Sequence, residues 1–353
     1  MSEANAVNGK LSRIQGSLLG GAVGDALGYA VEFSSDSAIR RKYGPAGISR
    51  YELRNGVALF SDDTQMTLFT ANGLLVDRQR ERDGLESDPV QAVYRAYLDW
   101  LTTQRRGSVD EDAARVHFLM AEPELYSPRA PGNTCLSALR SGRCGTIERP
   151  LNDSKGCGGV MRVAPVGLFY ADKSGAEVAT LGARMAAITH GHPLGYLSAA
   201  GLAALVQRLA RDENARARSF AEVTRESLAD VREAFGDVSE ARGALDTFES
   251  LVTRALDYAE NADADIDNIV ALGEGWVGEE AFAIAVYCVA RYPDDFDAAI
   301  IASVNHGGDS DSTGAIAGNI SGARLGREAI GAKWLDNLEL RELIEKVGAL
   351  LAQ

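Results

Sequence analysis

A glycine stands at every fourth position of the segment Ile14-Gln15-Gly16-Ser17-Leu18-Leu19-Gly20-Gly21-Ala22-Val23-Gly24-Asp25-Ala26-Leu27-Gly28. Residues four apart share one face of an α-helix. Each glycine costs about 1 kcal/mol in a helix interior relative to alanine, so this face predicts a closely packed neighbour. Gly314, Gly318 and Gly322 repeat the spacing. We therefore expect two glycine-faced helices in close contact, which would bring distant parts of the chain together.

Two acidic clusters begin helices made of small and apolar residues. They are Ser61-Asp62-Asp63-Thr64 and Asp309-Ser310-Asp311-Ser312. Four carboxylates without a counterion repel by about 4 kcal/mol per pair at about 4 Å in an effective dielectric of about 20, so they take up protons or hold cations. Oxygen ligands with no histidine or cysteine in either run suit Mg²⁺ or Mn²⁺ better than Zn²⁺. The prediction is a pair of Mg²⁺ or Mn²⁺ ions.

Each cluster also has a simpler interpretation. The run from Asp309 to Gly314 opens like an EF-hand calcium loop, but its twelfth position is Ile320, where such a loop needs a bidentate glutamate. We reject that reading. Ser61-Asp62-Asp63, taken alone, is typical of a helix N-cap. Only its pairing with the second cluster favours a metal site.

Composition and helical periodicity together predict one compact all-α domain. With 46% hydrophobic and 24% charged residues among 353, the chain can bury a large core. Apolar residues recur at helical spacing, and no run alternates as strands do. We expect a single multi-helix domain over residues 11–353 and a disordered polar tail over residues 1–10. The irregular segments 34–60 and 123–159 carry many of the prolines and glycines and would form the walls of a pocket.

Charge and hydropathy bear on location and partners. No apolar run reaches the roughly 18 residues of a membrane span, the N-terminus has no signal-like stretch, and the four cysteines lack zinc spacing. We expect a cytoplasmic protein with reduced thiols. A net charge of −14 argues against nucleic-acid binding. Between residues 121 and 165, basic residues outnumber acidic ones, which indicates either a site for an anionic ligand or a solvated loop. The basic residues are Arg129, Arg140, Arg143, Arg149, Lys155 and Arg162.

Six motifs, in this order along the chain, resemble those of the ADP-ribosylglycohydrolases. They are Gly24-Asp25-Ala26-Leu27-Gly28 with Glu32, Ser61-Asp62-Asp63-Thr64-Gln65-Met66, Gly156-Cys157-Gly158-Gly159-Val160-Met161-Arg162-Val163-Ala164-Pro165, Thr189-His190, Gly273-Glu274-Gly275-Trp276 and Asn305-His306-Gly307-Gly308-Asp309-Ser310-Asp311-Ser312-Thr313-Gly314. The likeness covers residues 11–326. It implies a compact all-helical domain with a binuclear Mg²⁺ or Mn²⁺ centre that removes ADP-ribose from modified targets, most familiarly from arginine side chains.

The resemblance also implies roles for individual residues. The metal ligands would be Ser61, Asp62, Asp63, Asp309, Asp311 and Ser312. Ser312 stands where many relatives have threonine, but serine keeps the hydroxyl oxygen. Glu32 would lie close to the metals and the scissile bond. A backbone cradle for the diphosphate would be formed by Gly156, Gly158, Gly159, Val160 and Met161. His190 would lie against the ligand.

The implied reaction breaks the bond between the anomeric carbon of the distal ribose and its target, through a state with oxocarbenium character. Two cations would fix the ribose hydroxyls and lower the pKa of a water. Either Glu32 or Asp62 could act as the general acid or base, and the sequence does not separate them. We rank Glu32 slightly ahead.

The sequence leaves the target open. The expected partners are an ADP-ribosylated protein as substrate and ADP-ribose as product, with arginine as the favoured linkage over serine, nucleic acid or a small molecule. One alternative is a weak or inactive relative that binds ADP-ribose or neutralises an ADP-ribosylating toxin by direct binding. Another is a two-metal phosphatase or phosphodiesterase, although among the histidines only His306 stands near an acidic run. Oxygen side chains at all six ligand positions favour the hydrolase.

Overall fold

The computed structural model describes residues 3–104, 118–261 and 263–353. Its α-helices are α1 Glu3–Gly28, α2 Asp36–Tyr43, α3 Asp62–Arg82, α4 Pro89–Thr103, α5 Asn133–Arg140, α6 Ala164–Phe169, α7 Gly175–Ala187, α8 Pro193–Arg211, α9 Phe220–Phe235, α10 Arg242–Ala259, α11 Asp265–Leu272, α12 Gly278–Arg291, α13 Phe296–Val304, α14 Ser310–Leu325, α15 Ala332–Leu335 and α16 Arg341–Leu351. Short 3₁₀ helices are Phe118–Ala121, Pro123–Leu125, Cys157–Gly159, Ala215–Ala217 and Arg327–Ala329. Within those three ranges no strand forms, and β-pairing is limited to isolated bridges. The predicted all-α class is confirmed.

Helices α1 and α14 pack backbone against backbone at the centre of the molecule. A Cβ atom on Gly24 would lie 1.9 Å from the carbonyl oxygen of Gly314, and one on Gly318 would lie 1.9 Å from that of Gly20. Such distances leave room for hydrogen only. The predicted contact between the two glycine faces is therefore confirmed, and it sets the end of α1 beside the start of α14.

The remaining core follows the predicted helical periodicity. Helix α12 is buried on nearly every side from Gly278 to Val289, as its continuous apolar sequence predicts. Helices α9 and α10 bury one stripe each, whose fully buried members include Phe248, Val252 and Val231. Helices α8, α12 and α13 pack against α14. As a result α14 is buried along its whole length, and α1 is buried from Gly16 to Gly28.

The two segments predicted to be irregular contain short helices. Helix α2 begins after Ser35, whose hydroxyl accepts a hydrogen bond from the Ala38 amide, and it buries little beyond Ile39. Helix α5 lies within the segment 123–159. Each has only eight residues, which is too short to show a repeated apolar period. The expectation of continuous irregular structure was wrong at these two places.

Helix α1 begins at Glu3, so it includes most of the segment 1–10 expected to be a disordered tail, while residues 1 and 2 lie outside the described ranges. A domain boundary at residue 11 stays a prediction. Across the described ranges, none of the helices combines the length and apolarity that crossing a membrane requires.

Candidate active site

The start of α3 is fixed by a buried carboxylate on α1. Asp25 accepts hydrogen bonds from the backbone amides of Ser61 and Thr64 at 2.8 and 2.9 Å, and from the Thr64 hydroxyl at 2.5 Å. These amides belong to the first turn of a helix, where no carbonyl of the same helix can accept from them. Asp25 thereby ties α1 to the residues that carry the first acidic cluster.

The start of α14 is held from the other side. The Asp309 amide donates to the carbonyl of Glu274 at 2.8 Å, which joins the 273–277 loop to the second acidic cluster. The Thr313 hydroxyl lies 2.7 Å from the carbonyl oxygen of Ser303, at the end of α13. Because α1 and α14 touch along their glycine faces, the two acidic helix starts and the turn after α1 meet at one place.

A cavity of about 540 Å³ opens at this meeting point. Its walls come from the turn after α1, the starts of α3 and α14, the segment 130–135, the glycine turn at residue 156 and the 273–277 loop. The predicted site residues that line it are Glu32, Asp62, Asp63, Gly156, Gly158, Met161, His190, Asp309, Asp311 and Ser312. Three predicted residues, Ser61, Gly159 and Val160, lie outside this lining.

Carboxylates gather inside the cavity with a spacing that suits a cation. Glu32, Asp309 and Asp311 each offer an oxygen, and these oxygens all lie within 4.8 Å of one another. One oxygen each of Glu32, Asp63 and Asp309 is buried without a hydrogen-bond partner. A buried carboxylate oxygen without a partner is costly, and a hard divalent cation prefers such ligands. The residues present therefore fit a metal.

Burial and mutual repulsion disfavour the charged forms of these groups. Loss of solvation, reinforced by the charges of Asp311, Asp309 and Asp62, raises the pKa of Glu32 to about 10. Burial first, and neighbouring carboxylates second, also raise the pKa values of Asp62, Asp63 and Asp309 well above the usual range. A cation in the cavity would reverse this shift, since positive charge stabilises the carboxylates.

Ser61 and Asp62 make contacts that define the N-terminus of α3. The Ser61 hydroxyl accepts from the Asp63 amide at 3.2 Å, as an N-cap does. One oxygen of Asp62 accepts from the Gly132 amide at 3.4 Å, and the Asp62 amide donates to the carbonyl of Arg129 at 3.0 Å. The N-cap interpretation of this cluster and its presence in the cavity are thus compatible. Metal binding by Ser61 stays a prediction.

The glycine turn at 156–159 packs so closely against its neighbours that a side chain at Gly158 would displace them. A Cβ atom on Gly158 would lie 2.9 Å from the sulfur of Cys135 and 3.0 Å from Cε1 of His190. The turn is pinned by hydrogen bonds to the neighbouring loop, from the Cys157 amide to the Trp276 carbonyl and from the Gly278 amide to the Lys155 carbonyl. The turn forms one wall of the cavity, which Gly156, Cys157 and Gly158 line.

His190 is buried against this turn. Its Nδ1 lies 2.8 Å from the Thr189 hydroxyl. Burial, with the positive charge of Arg162 adding to it, lowers the pKa of His190 to about 3. The imidazole is therefore neutral at physiological pH, so it can act as a hydrogen-bonding group and not as a cation.

Several lining residues were not among the predicted site residues. Phe33 and Trp276 stack at the rim with ring centroids 6.0 Å apart and planes at 18°, and they remain 77% and 39% exposed. Cys157 and the segment 130–135 also line the cavity. Cys157 and Trp276 belong to two of the six family motifs, and Phe33 directly follows Glu32. The segment 130–135 lies within 123–159, which the sequence predicted as a pocket wall, although none of these six residues was singled out. The other predicted wall, 34–60, contributes no residue to this lining.

The basic residues between 121 and 165 do not form a common patch. Arg129 and Lys155 are paired with Glu339 and Glu279, and Arg162 is fully buried. The other three, Arg140, Arg143 and Arg149, are exposed and do not line the cavity. For these three, the solvated-loop interpretation agrees with the structure.

Fold and site together define an all-helical protein with an acidic ligand cavity at the meeting of two helix starts. The chain belongs to the ADP-ribosylglycohydrolase family, which it matches over residues 6–353. The resemblance read from the six motifs is thereby confirmed.

Named relatives cover nearly the whole chain. The ADP-ribosyl-[dinitrogen reductase] glycohydrolase of Rhodospirillum rubrum is 26% identical over 349 residues, which is 96% of each sequence. The ADP-ribosylhydrolase ARH3 of Mus musculus is 26% identical over 365 residues, covering 93% of this chain and 88% of that protein. A solved structure, titled ADP-ribosylglycohydrolase-related protein complex, superposes with a TM-score of 0.60 at 25% identity and 98% coverage of both chains. Family and relatives support ADP-ribosyl hydrolase activity.

Proposed function

We propose that the protein removes ADP-ribose from ADP-ribosylarginine in proteins, and so reverses mono-ADP-ribosylation, with two Mg²⁺ or Mn²⁺ ions in its cavity. The observation that carries the proposal is the cluster of Glu32, Asp309 and Asp311, whose oxygens lie within 4.8 Å of one another inside a ligand-sized cavity. A cytoplasmic location and a single domain over residues 11–353 belong to the same proposal.

The proposed metal ligands are oxygen donors from the two helix starts. They are Ser61, Asp62, Asp63, Asp309, Asp311 and Ser312. The ions would supply positive charge that orients the ribose hydroxyls and activates water. Buried carboxylate oxygens without protein partners, on Asp63 and Asp309, support this assignment.

Glu32 is the proposed general acid or base, and Asp62 is the second candidate. Glu32 lies on the turn after α1, lines the cavity, and has one oxygen, Oε2, without a partner. Asp62 already accepts a hydrogen bond from the Gly132 amide. Glu32 Oε2 is therefore the freer of the two to move a proton between water and the leaving nitrogen at the anomeric carbon.

The diphosphate would lie against the glycine turn, where backbone amides can approach phosphate oxygens closely. Its proposed contacts are Gly156, Gly158, Gly159, Val160, Met161 and His190. Gly159 and Val160 would act by shaping the turn from behind, since they lie outside the cavity lining.

An arginine linkage is supported by the chemistry of the rim. The leaving group would be a guanidine, which becomes cationic once it is free. Carboxylates attract that cation, and the exposed rings of Phe33 and Trp276 offer faces on which a guanidinium stacks. A serine hydroxyl would gain neither interaction. None of the relatives reported above is named for a toxin, so binding to a transferase toxin has no support here beyond the sequence-based alternative.

The test compares two substrates, one protein carrying ADP-ribose on arginine and one carrying it on serine, each with Mg²⁺, Mn²⁺ or EDTA. We expect ADP-ribose release from the arginine substrate alone, lost in EDTA and reduced more than about 100-fold by Asp62→Ala or Asp311→Ala. The exposed Asp153→Ala is the matched control. Binding of ADP-ribose without release would favour the inactive-relative alternative. Liberation of inorganic phosphate would favour a phosphatase, and full activity in either cavity variant would contradict the mechanism.

A further inference from the structure

Arg162 is a fully buried cation without a carboxylate partner among the described residues. Its Nη2 donates to the Thr189 hydroxyl oxygen at 2.7 Å and lies 3.4 Å from the carbonyl of Met185. Its Nη1 faces the sulfur of Cys135 at 3.3 Å, and the guanidinium lies over the Tyr97 ring at 4.5 Å. Burying a charge without an ion pair costs free energy of folding. Arg162 therefore does not serve stability alone.

The contacts of Arg162 determine where the protons of the neighbouring residues lie. Because a guanidinium is only a donor, the Thr189 oxygen must accept from it. The Thr189 hydroxyl then has its own proton to donate. His190 Nδ1, at 2.8 Å, is a stronger acceptor than the Cys135 sulfur, which also lies beside Thr189. A threonine oxygen polarised by a cation is also a poorer acceptor and a better donor. Nδ1 is therefore unprotonated.

The proton of a neutral His190 must consequently lie on Nε2. Nε2 lies beside the glycine turn, where Cβ atoms on Gly156 and Gly158 would be 3.4 and 3.3 Å from it. His190 lines the cavity, and within the described part of the chain its Nε2 has no hydrogen-bond partner. The missing side chains of the two glycines leave an N–H group facing the space where a ligand would lie.

We propose that Arg162 and Thr189 are positioning residues that hold the proton of His190 on Nε2, so that a neutral imidazole donates a hydrogen bond to an anionic oxygen of the ligand beside Gly156 and Gly158. This rests on the proposed function, which puts a diphosphate there. Burial lowers the pKa of His190 to about 3, which keeps the ring neutral and makes its tautomer the decisive property. Arg162 adds positive potential behind the same wall.

The first measurement reads the tautomer in the unmodified protein. Long-range ¹H–¹⁵N spectra of protein labelled with ¹⁵N-histidine at pH 7 report which ring nitrogen carries hydrogen, and His190→Gln identifies the signals of this ring among the four histidines. We expect the Nε2–H form. A ring protonated on Nδ1, or on both nitrogens, would overturn the proposal whether or not the protein hydrolyses anything.

The second measurement removes the Thr189 hydroxyl, which links Arg162 to His190. Thr189→Val keeps the shape of the side chain and loses the hydroxyl, Thr189→Ser keeps the hydroxyl, and Thr224→Val deletes a buried threonine hydroxyl that bonds only within α9. With ADP-ribose and Mg²⁺ in a calorimeter, we expect Thr189→Val to weaken binding by about tenfold or more and to populate the Nδ1–H form. Thr189→Ser should restore both properties, and Thr224→Val should change neither.

The two hypotheses fail in different ways. An unchanged tautomer and unchanged ADP-ribose affinity in Thr189→Val would overturn the positioning role, even in an active hydrolase. The expected tautomer and affinity changes in a protein that releases no ADP-ribose would sustain the positioning role and defeat the proposed function. If ADP-ribose does not bind the unmodified protein, the donor role is overturned together with the function.

Discussion

Arg129 and Glu339 form a buried ion pair in which Nη2 lies 2.9 Å from Oε1. Arg129 Nη1 also donates to the carbonyl of Phe60, and Glu339 Oε2 accepts from the Phe60 amide at 3.3 Å. The carbonyl of Arg129 in turn accepts from the Asp62 amide. The pair therefore braces the chain where it enters α3, one residue ahead of the acidic cluster.

Breaking one half of this pair should cost more than removing both halves. Glu339→Ala leaves the Arg129 charge buried and unpaired, and we expect it to lower the free energy of unfolding by about 3–5 kcal/mol. The double variant Arg129→Met/Glu339→Leu, which replaces the charges with apolar volume, should recover most of that loss. Urea titrations of the single and double variants measure both changes. Equal losses in the two variants would show that the ion pair itself contributes net stability.

The contact between α1 and α14 predicts a large penalty for a single methyl group. Gly24→Ala would place a carbon 1.9 Å from the carbonyl oxygen of Gly314, so one helix must move, and we expect a loss of about 3 kcal/mol or more in unfolding free energy. Gly243→Ala on α10, where a Cβ atom meets nothing within 4 Å, should instead gain up to about 1 kcal/mol. Thermal and urea unfolding of both variants would test this. A neutral Gly24→Ala would contradict close backbone packing.

The carboxylate cluster predicts that Asp63→Asn stabilises the protein without divalent cations and destabilises it with them. In EDTA, Asp63→Asn removes an ionisable group whose pKa is raised well above the usual range by burial and by the neighbouring carboxylates. At pH 7 we therefore expect the free energy of unfolding to rise by about 1–3 kcal/mol. In excess Mg²⁺ or Mn²⁺ the order should reverse, because only the unmodified site gains the free energy of binding. Differential scanning calorimetry with and without cation measures both effects, and Asp153→Asn serves as the exposed control. The same order in both conditions would argue against a metal at this position.

Acid should destabilise the protein partly through His306. Burial lowers the pKa of this histidine to about 4, whereas in the unfolded chain it is about 6.5. Between these pH values the unfolded state binds a proton at His306 and the folded state does not. The free energy of unfolding therefore falls as the pH drops from about 6.5 to about 4, by about 3 kcal/mol in all.

His306→Gln cannot titrate but keeps a polar group near the Thr313 hydroxyl, which lies 2.9 Å from Nε2. Urea unfolding at pH 7 and pH 4.5 should therefore show a smaller difference for the variant than for the unmodified protein, by about 2–3 kcal/mol. If the variant loses as much stability on acidification as the unmodified protein, His306 is not the group responsible.

The sequence contained most of the fold and part of the site. Glycine spacing predicted the contact of α1 with α14 because two helix backbones can approach this closely only where both lack side chains. The acidic runs predicted a shared cavity because they begin the helices that this contact aligns. Asp25 escaped assignment, since a carboxylate that accepts from the start of another helix has no local pattern. Arg129 and Glu339 are far apart in the chain, and neither has a local sequence pattern that would identify its partner.

The direct backbone contact of α1 with α14 also has a consequence for folding. Helix α1 ends at Gly28 and α14 begins at Ser310, so closing the contact carries the entropic cost of the long loop between these residues. A ribosome-bound chain that ends before Asp309 has the first acidic cluster but lacks the second. We therefore expect catalytic competence to be acquired only after the start of α14 has been synthesised, and a chain terminated before Asp309 to be inert.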